Sequence, residues 1–360
     1  MRRVRREREH PMTHQIHRGE TVDPVEHQLL RHTWFPIARS EDVTDRPVQA
    51  NILGTKLVVY RVGDTLTVAR AACPHRGMDL SMGELRDGGI QCPYHGWIFA
   101  AGSGACTHVP SLPAGSSPVR TELRTYRCVE AYGHVWSCLE EPYLPLPALA
   151  DAETSQWRFA YGEPNDLNCG IRQLTENFRD MGHFAFVHQG TMGPDVRREV
   201  DSYQVHREGW DLEWELTTDL GGSALDGNQS LGTRQTLTYH LSLPMFAWIR
   251  TAFPDGGRRL VAQFATPISE DGLRVREFWV VGIDDIVAET HGVSIEEMWE
   301  YETAIFAEDF PVVENQEPRE APLDVHGQAH APADKYSIAY RRTYVELLER
   351  FAEETRQAGS

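Results

Sequence analysis

Two short segments constrain this chain more than any other feature: Ala72-Cys73-Pro74-His75-Arg76-Gly77 and Gln91-Cys92-Pro93-Tyr94-His95-Gly96-Trp97. Each carries a thiol followed by an imidazole, and a glycine closes the turn. Two thiolates and two imidazoles on two turns can hold a tetrahedral zinc or an iron–sulfur cluster, and spacing alone leaves that choice open.

Four features favour iron–sulfur. In each pair the cysteine precedes the histidine, so the two cysteines can hold one iron and the two histidines the other, as in a Rieske [2Fe–2S] centre. Arg76-Gly77 and Gly96-Trp97 form tight turns able to aim backbone N–H groups at bridging sulfides. The surrounding segment is strand-rich, and it offers no helix with the His-x3-His spacing of a zinc finger. Histidine ligation raises the potential of such a cluster to roughly −150 to +300 mV, and it passes one electron at a time. The bland alternative is a zinc ribbon that only holds the domain together. Cys106, Cys128, Cys138 and Cys169 fall outside the paired pattern and read as ordinary buried thiols.

At 360 residues the chain is long enough for two domains. No apolar run approaches the roughly 20 residues of a membrane-spanning helix, so a soluble protein is expected. Its net charge of −18 argues against a nucleic-acid partner. That charge serves solubility, or an acidic surface that meets a basic electron-donor protein. Six cysteines are too few for a disulfide scaffold of this size, which implies a reduced, cytoplasmic protein. Lysine occurs only at Lys56 and Lys335, while arginine is abundant. The Arg-rich start lacks the apolar segment of a secretory signal, and Met12 is a candidate start.

Residues 1–26 are expected to form a flexible tail. From about Trp34 to Trp136 the chain reads as short strands, including a hairpin of Thr55–Asp64 with Thr65–Arg70 and a closing strand Gly133–Leu139. The proline-rich Glu141–Pro147 then sets a boundary between an N-terminal domain, 27–147, and a C-terminal domain, 148–360. The second domain should contain a helical segment near Arg172–His188, strands between about Val196 and Ile283, and two late helices. The first late helix opens on the capping box Ser294-Ile295-Glu296-Glu297 and places Met298, Ile305 and Asp309 on one face. The last is expected over Arg341–Gln357, with Tyr344, Leu347, Leu348 and Phe351 as an apolar packing stripe.

The second informative segment is Glu176-Asn177-Phe178-Arg179-Asp180-Met181-Gly182-His183-Phe184-Ala185-Phe186-Val187-His188. On a regular helix His183 and His188 stand about 140° apart, so both reach one metal only if the helix widens or ends between them. Asp309 is an independent hint, because an unpaired carboxylate on an apolar helix face is costly. Two histidines and a carboxylate make the facial triad of non-haem Fe(II), with positions left open for oxygen. Glu308, the rival ligand, points about 100° away from the Met298 and Ile305 face.

The paired turns resemble the Rieske cluster motif. Asn177-x-x-Asp180-x-x-His183-x4-His188, with the late Glu308-Asp309, resembles the catalytic domain of Rieske non-haem iron oxygenase α subunits. The likeness runs from about His27 onward. Within that family the stretch Glu176 to Thr191, Phe306 to Val312 and Ala333 to Arg341 are similar to methylxanthine N-demethylases and related O-demethylating monooxygenases. The resemblance implies an α+β chain: an all-β Rieske domain followed by a helix-grip (START/Bet v1-like) domain with an antiparallel sheet. It implies that Cys73 and Cys92 ligate one cluster iron, His75 and His95 the other, and His183, His188 and Asp309 the mononuclear iron. Asn177 and Asp180 carry catalytic roles by the same likeness. Asp180 matches a carboxylate that bonds an iron histidine on its own chain and a cluster histidine on the next subunit of a trimer; the alternative is a plain salt bridge with Arg179 or Arg172. The N-terminal tail has no counterpart in the family.

The function so implied is a terminal monooxygenase component. It uses O2, and electrons from NAD(P)H through a separate reductase and perhaps a ferredoxin, to hydroxylate or N-/O-demethylate a small organic substrate. No Gly-x-Gly-x-x-Gly follows a strand, so nicotinamide or flavin belongs to a separate protein. Desaturation or oxidative cyclisation in a biosynthetic pathway is the alternative outcome of the same site. Readings from other classes are an electron-transfer iron–sulfur protein and a zinc-stabilised binding protein. The strands from about Thr217 to Trp279 are expected to line the substrate pocket, with Met245, Phe246, Trp248 and Phe264 as candidates.

Overall fold

The structure, a computed structural model, describes residues 22–117, 119–149, 156–193, 196–219 and 234–358. The expected tail lies mostly outside them, but its last residues do not fray. Helix α1, Pro24–Arg31, starts where Asp23 accepts a hydrogen bond from Val25 N at 2.8 Å and proline occupies the first turn. Its Glu26 is fully buried and pairs with Arg172, so α1 is tied to the C-terminal domain.

The N-terminal domain is three small antiparallel sheets. Thr55–Val62 and Thr65–Arg70 form the expected hairpin around Gly63-Asp64, and Val48–Ile52 and Thr125–Tyr126 extend it. Phe35–Arg39, His134–Ser137 and Cys128–Ala131 form a second sheet. The third, Glu84–Arg86, Gly89–Gln91, Ile98–Ala100 and Cys106–His108, carries the second Cys–His turn between its middle strands. A compact core that includes Tyr60, Leu80, Ile90 and Phe99 sits under both turns.

The C-terminal domain is built on one antiparallel sheet. Its order is Trp157–Tyr161, Val275–Asp284, Arg258–Pro267, Phe246–Ala252, Arg234–Ser242, Asp211–Asp219 and His206–Glu208, with Asn165–Leu167 also paired to Val275–Asp284. Side chains alternate across a strand; in the central strands Arg258–Pro267 and Val275–Asp284 both faces are buried, whereas Asp211–Asp219 keeps one face exposed. Leu237, Tyr239, Val261, Trp279 and Val281 face one core with α5, Ile295–Val313, and α6, Lys335–Ala358. Leu260, Ala262, Phe264, Phe278 and Val280 face a second core shared with Phe35, Val59 and Trp136. The sheet is thus the middle layer of three: helices, sheet, N-terminal domain. The proline-rich segment lies in sequence between the small sheets and the large one, and this shared core joins them in space.

The capping box of α5 forms as expected: Glu297 N donates to Ser294 Oγ at 3.1 Å and Ser294 N to Glu297 Oε2 at 2.8 Å. Helix α6 begins at Lys335, six residues before the expected Arg341, because Tyr336, Ser337 and Tyr340 are also buried against the domain. Among the described residues no helix is long and apolar enough to cross a membrane.

Candidate active site

The helix over the Asn177–His188 segment does end. Helix α2, Ile171–Arg179, stops where Asp180 turns extended; a short α3, Phe184–Val187, follows with His183 and His188 at its two ends. Helix α4, Gln189–Met192, continues from His188. That break removes the 140° separation of the two rings. His183 Nε2 and His188 Nε2 approach to 3.0 Å, and Asp309 Oδ1 of α5 lies 3.4 and 3.5 Å from them. The three ligand atoms all fall within 4.8 Å of one another. His188 is 1% exposed and Asp309 7%.

Each ring is held from behind. His183 Nδ1 is 3.2 Å from Asp180 Oδ2, and His188 Nδ1 is 3.0 Å from Glu308 Oε2. Asp180 Oδ1 is fixed in turn by Gly182 N at 2.8 Å, and Asn177 Nδ2 donates to Asp309 Oδ1 at 3.2 Å. With both Nδ1 atoms committed to carboxylates, the two Nε2 lone pairs face each other, which is tolerable only with a cation, a proton or a metal ion, between them. Burial opposes charge on His183, yet bonds to Asp180 and Asp309 outweigh it and raise its pKa to about 9. Burial, with His183 beside it, lowers that of His188. Two histidines, one carboxylate and a carboxylate behind each ring are the donor set a non-haem iron takes. The residues fit that metal.

Glu308 was expected to point away and is not a ligand here, but it belongs to the site as the group that orients His188. The alternative for Asp180 fails. Arg172 is engaged by Glu26 and Glu320, and Arg179 lies over the rings of Tyr336 and Tyr340 at 5.2 and 5.0 Å. The Asp180 side chain stays 37% exposed and lines a cleft of about 410 Å³ that also reaches His183.

The paired turns of the N-terminal domain are near copies of each other. Cys73 N donates to Met78 O and Cys92 N to Trp97 O, both at 2.8 Å; Gly77 N and Gly96 N close onto Cys73 O and Cys92 O at 2.8 and 3.0 Å. These glycines sit at φ of 72° and 70°, the left-handed region that a side chain disfavours. Their N–H groups therefore close the turns instead of facing sulfur; the N–H groups of His75 and Arg76 are the ones that lie against the Cys73 thiol. Both cysteines are buried, 2% exposed, while His95 is exposed and His75 partly so. The imidazoles are 4.6 Å apart, and His75 stacks on Trp97 at 4.3 Å. Burial pushes the Cys73 thiol up to about 11, opposed by those N–H groups and reinforced by the adjacent Cys92. Two buried thiols side by side ionise when metal replaces their protons. The two thiols and two imidazoles fit a Rieske [2Fe–2S] cluster.

The expected pocket residues are corrected. Phe246, Trp248, Phe264 and Met245 belong to the core shared with the N-terminal domain, where Trp136 packs on Phe264 at 5.0 Å and on Phe246 at 5.7 Å. The side of the sheet that faces the histidines and Asp309 is the Tyr239, Val261, Trp279 face.

Residues 33–127 match the Rieske [2Fe-2S] domain family, and residues 167–350 match the vanillate O-demethylase oxygenase C-terminal domain family. Methylxanthine N1-demethylase NdmA of Pseudomonas putida is 28% identical over 334 residues, covering 90% of this chain and 91% of that protein. The oxygenase component of dicamba O-demethylase of Stenotrophomonas maltophilia is 32% identical over 180 residues, 48% of this chain and 52% of its own length. The solved structure of Pseudomonas putida CBB5 NdmA with caffeine aligns with a TM-score of 0.80 at 27% identity, over 91% of this chain and 94% of that one. A Rieske domain joined to a matching oxygenase domain excludes the zinc-stabilised binding protein and the bare electron carrier. The chain belongs to the Rieske non-haem iron oxygenase α subunits, on the monooxygenase branch that includes N- and O-demethylases.

Proposed function

We propose that this chain is the terminal oxygenase of a demethylating monooxygenase that acts on a small organic molecule bearing an N- or O-methyl group. One observation carries the reading: His183, His188 and Asp309 bring their ligand atoms within 4.8 Å of one another in a chain whose other domain holds the paired Cys–His turns. When bound, the cluster supplies electrons singly and the mononuclear iron activates O2. The overall reaction takes a C–H bond, O2, two electrons and two protons to an alcohol and water. On a methyl carbon attached to N or O that alcohol is a hemiaminal or hemiacetal, which breaks its C–N or C–O bond and releases formaldehyde.

The chain's own residues have separable tasks. His183, His188 and Asp309 hold the iron; Asp180 and Glu308 fix the Nδ1 proton of each histidine, and Asn177 holds Asp309 Oδ1. Asp180, whose side chain is partly exposed, bonds a cluster histidine, His75 or His95, of a neighbouring subunit in a homotrimer. Electrons come from NAD(P)H through a separate reductase, directly or by a ferredoxin. The division into 27–147 and 148–360 follows the two kinds of metal site, and reduced thiols suit the cytoplasm.

The test is reconstitution with iron and sulfide, followed by a methylated-substrate panel with a reductase and NAD(P)H. A red-brown protein with a reduced [2Fe–2S] EPR signal, forming formaldehyde in step with substrate loss, is expected. A fully loaded protein that yields an alkene or a ring-closed product instead of an alcohol or formaldehyde refutes the demethylase assignment.

A further inference from the structure

Arg179, the last residue of α2, is 1% exposed, and none of its three guanidinium nitrogens has a hydrogen-bond partner. No other arginine among the described residues is buried in that state. A guanidinium stays charged at any working pH, and a buried charge needs a counter-charge. The carboxylates on its own segment are committed elsewhere. Glu176 holds Arg341 through both oxygens at 2.6 and 2.7 Å, and Asp180 accepts from Gly182 N and faces His183 Nδ1. The rings of Tyr336 and Tyr340 attract the cation through their faces, but burial pushes both phenols further from ionising, so neither supplies a negative charge.

Arg179 lines a small cavity between the sheet and α6, bordered by Trp214 and Tyr239 of the sheet and by Tyr336. Trp214 and Tyr239 are partners on neighbouring strands, and their rings stack at 3.9 Å. The indole Nε1 and the Tyr239 hydroxyl are buried and also unpartnered. Tyr336 gives its hydroxyl to Glu176 O, and His240, which borders the cavity from its strand, turns its ring to the opposite face of the sheet, onto Trp248 at 4.8 Å. What remains free in the lining is a guanidinium, an indole N–H and a hydroxyl, all able to donate. The cavity measures about 10 Å³, near the roughly 10–15 Å³ that one water-sized body requires. A single atom fits; a carboxylate or a phosphate does not. Water would fill the space and leave the charge unopposed. We propose that this cavity is a binding site for a monatomic anion, chloride in a cell, which serves as the counter-ion of Arg179 and fastens the last turn of α2 to the sheet. The Asp180–His183 turn departs from that residue, so the ion steadies the base of the turn. The site is independent of the reaction assigned above.

Bromide, which replaces chloride and scatters anomalously, is the direct probe. Crystals of the wild-type protein grown from a bromide salt should show an anomalous peak beside the Arg179 guanidinium, and a map with none there overturns the proposal. Thermal unfolding is the solution test, with sodium gluconate exchanged for sodium chloride at fixed ionic strength so that screening stays constant. A ligand that binds only the folded state raises the folding equilibrium in proportion to its concentration above Kd. Wild type should therefore gain up to about tenfold per tenfold rise in chloride, read as a rising Tm. Arg179→Met, similar in length and uncharged, should lose that dependence. Equal stability of wild type in chloride and gluconate, or a chloride slope kept by Arg179→Met, overturns the site. Equal stabilisation by formate overturns the monatomic ion in favour of a carboxylate. Because the bromide map uses wild type alone, it decides the question even where Arg179→Met does not fold.

Discussion

Asp180→Asn and Glu308→Gln form a matched pair that tests what Asp180 does beyond holding a histidine. Each wild-type carboxylate accepts from the Nδ1 of one iron histidine, at 3.2 Å for His183 and 3.0 Å for His188. Each amide still offers an oxygen to that Nδ1 proton, so the ring keeps its orientation and loses a charge-assisted bond, which contributes about 1.5–3 kcal/mol. In Asp180→Asn a second cost follows: turning the amide oxygen to His183 puts its NH2 against Gly182 N–H, now 2.8 Å from Oδ1. Loss of such an outer carboxylate lowers metal affinity about 10–100-fold, and both variants should show it when iron content is titrated. Turnover should separate them. The Glu308 side chain is 26% exposed and serves one ring of its own chain, whereas Asp180 is 37% exposed and lines the open cleft that a neighbouring subunit would close in the proposed trimer. At saturating iron, Asp180→Asn should fall at least tenfold further than Glu308→Gln, a gap of about 1.4 kcal/mol or more in the barrier. Both should keep the cluster EPR signal. Equal losses in the two variants at equal iron occupancy would refute the bridging role and leave Asp180 a positioning residue only.

Gly190→Ala should weaken iron binding with no change at any ligand, because the added Cβ lies 2.7 Å from Glu308 Oε1 and moves the carboxylate off His188; an iron titration checks it. Arg172→Leu strands Glu26 and Glu320, both fully buried, and should cost about 3–5 kcal/mol in urea unfolding at pH 8. Glu277 is buried on the sheet, and desolvation, against hydrogen bonds from Gln263 and Asn165, raises its pKa from 4.5 to about 7. A raised folded-state value means a contribution present below pH 4.5 and lost as pH climbs through 7. Glu277→Gln should therefore gain on wild type between pH 5 and pH 8, by up to about 3 kcal/mol, and an offset equal at both pH values would sink the argument.

The cluster turns were legible in the sequence because all they need is local: ligands within three positions, and a glycine where the backbone turns left-handed. The mononuclear site was legible for a different reason. Its ligands are 121 positions apart in the case of His188 and Asp309, but a carboxylate on an apolar helix face demands a partner, and a five-residue histidine spacing demands a broken helix. Glu308 escaped because a helical angle fixes only the direction of Cβ. Three further rotatable bonds carry its carboxylate back across that angle to His188. The misplaced pocket residues show a deeper limit. Period-2 alternation sorts a strand into two faces, yet it identifies the inner one only when the other is polar. Arg258–Pro267 is buried at every position from Leu260 onward, so its pattern carries no sign. What decides between the faces is Trp136, more than a hundred residues upstream, whose ring meets Phe264 and assigns that face to the domain seam. Substitutions at Phe264 or Phe246 should therefore alter stability and leave substrate preference unchanged in a substrate panel, whereas substitutions one position out of phase, at Val261, Trp279 or Val281 on the side of the histidines, should shift that preference.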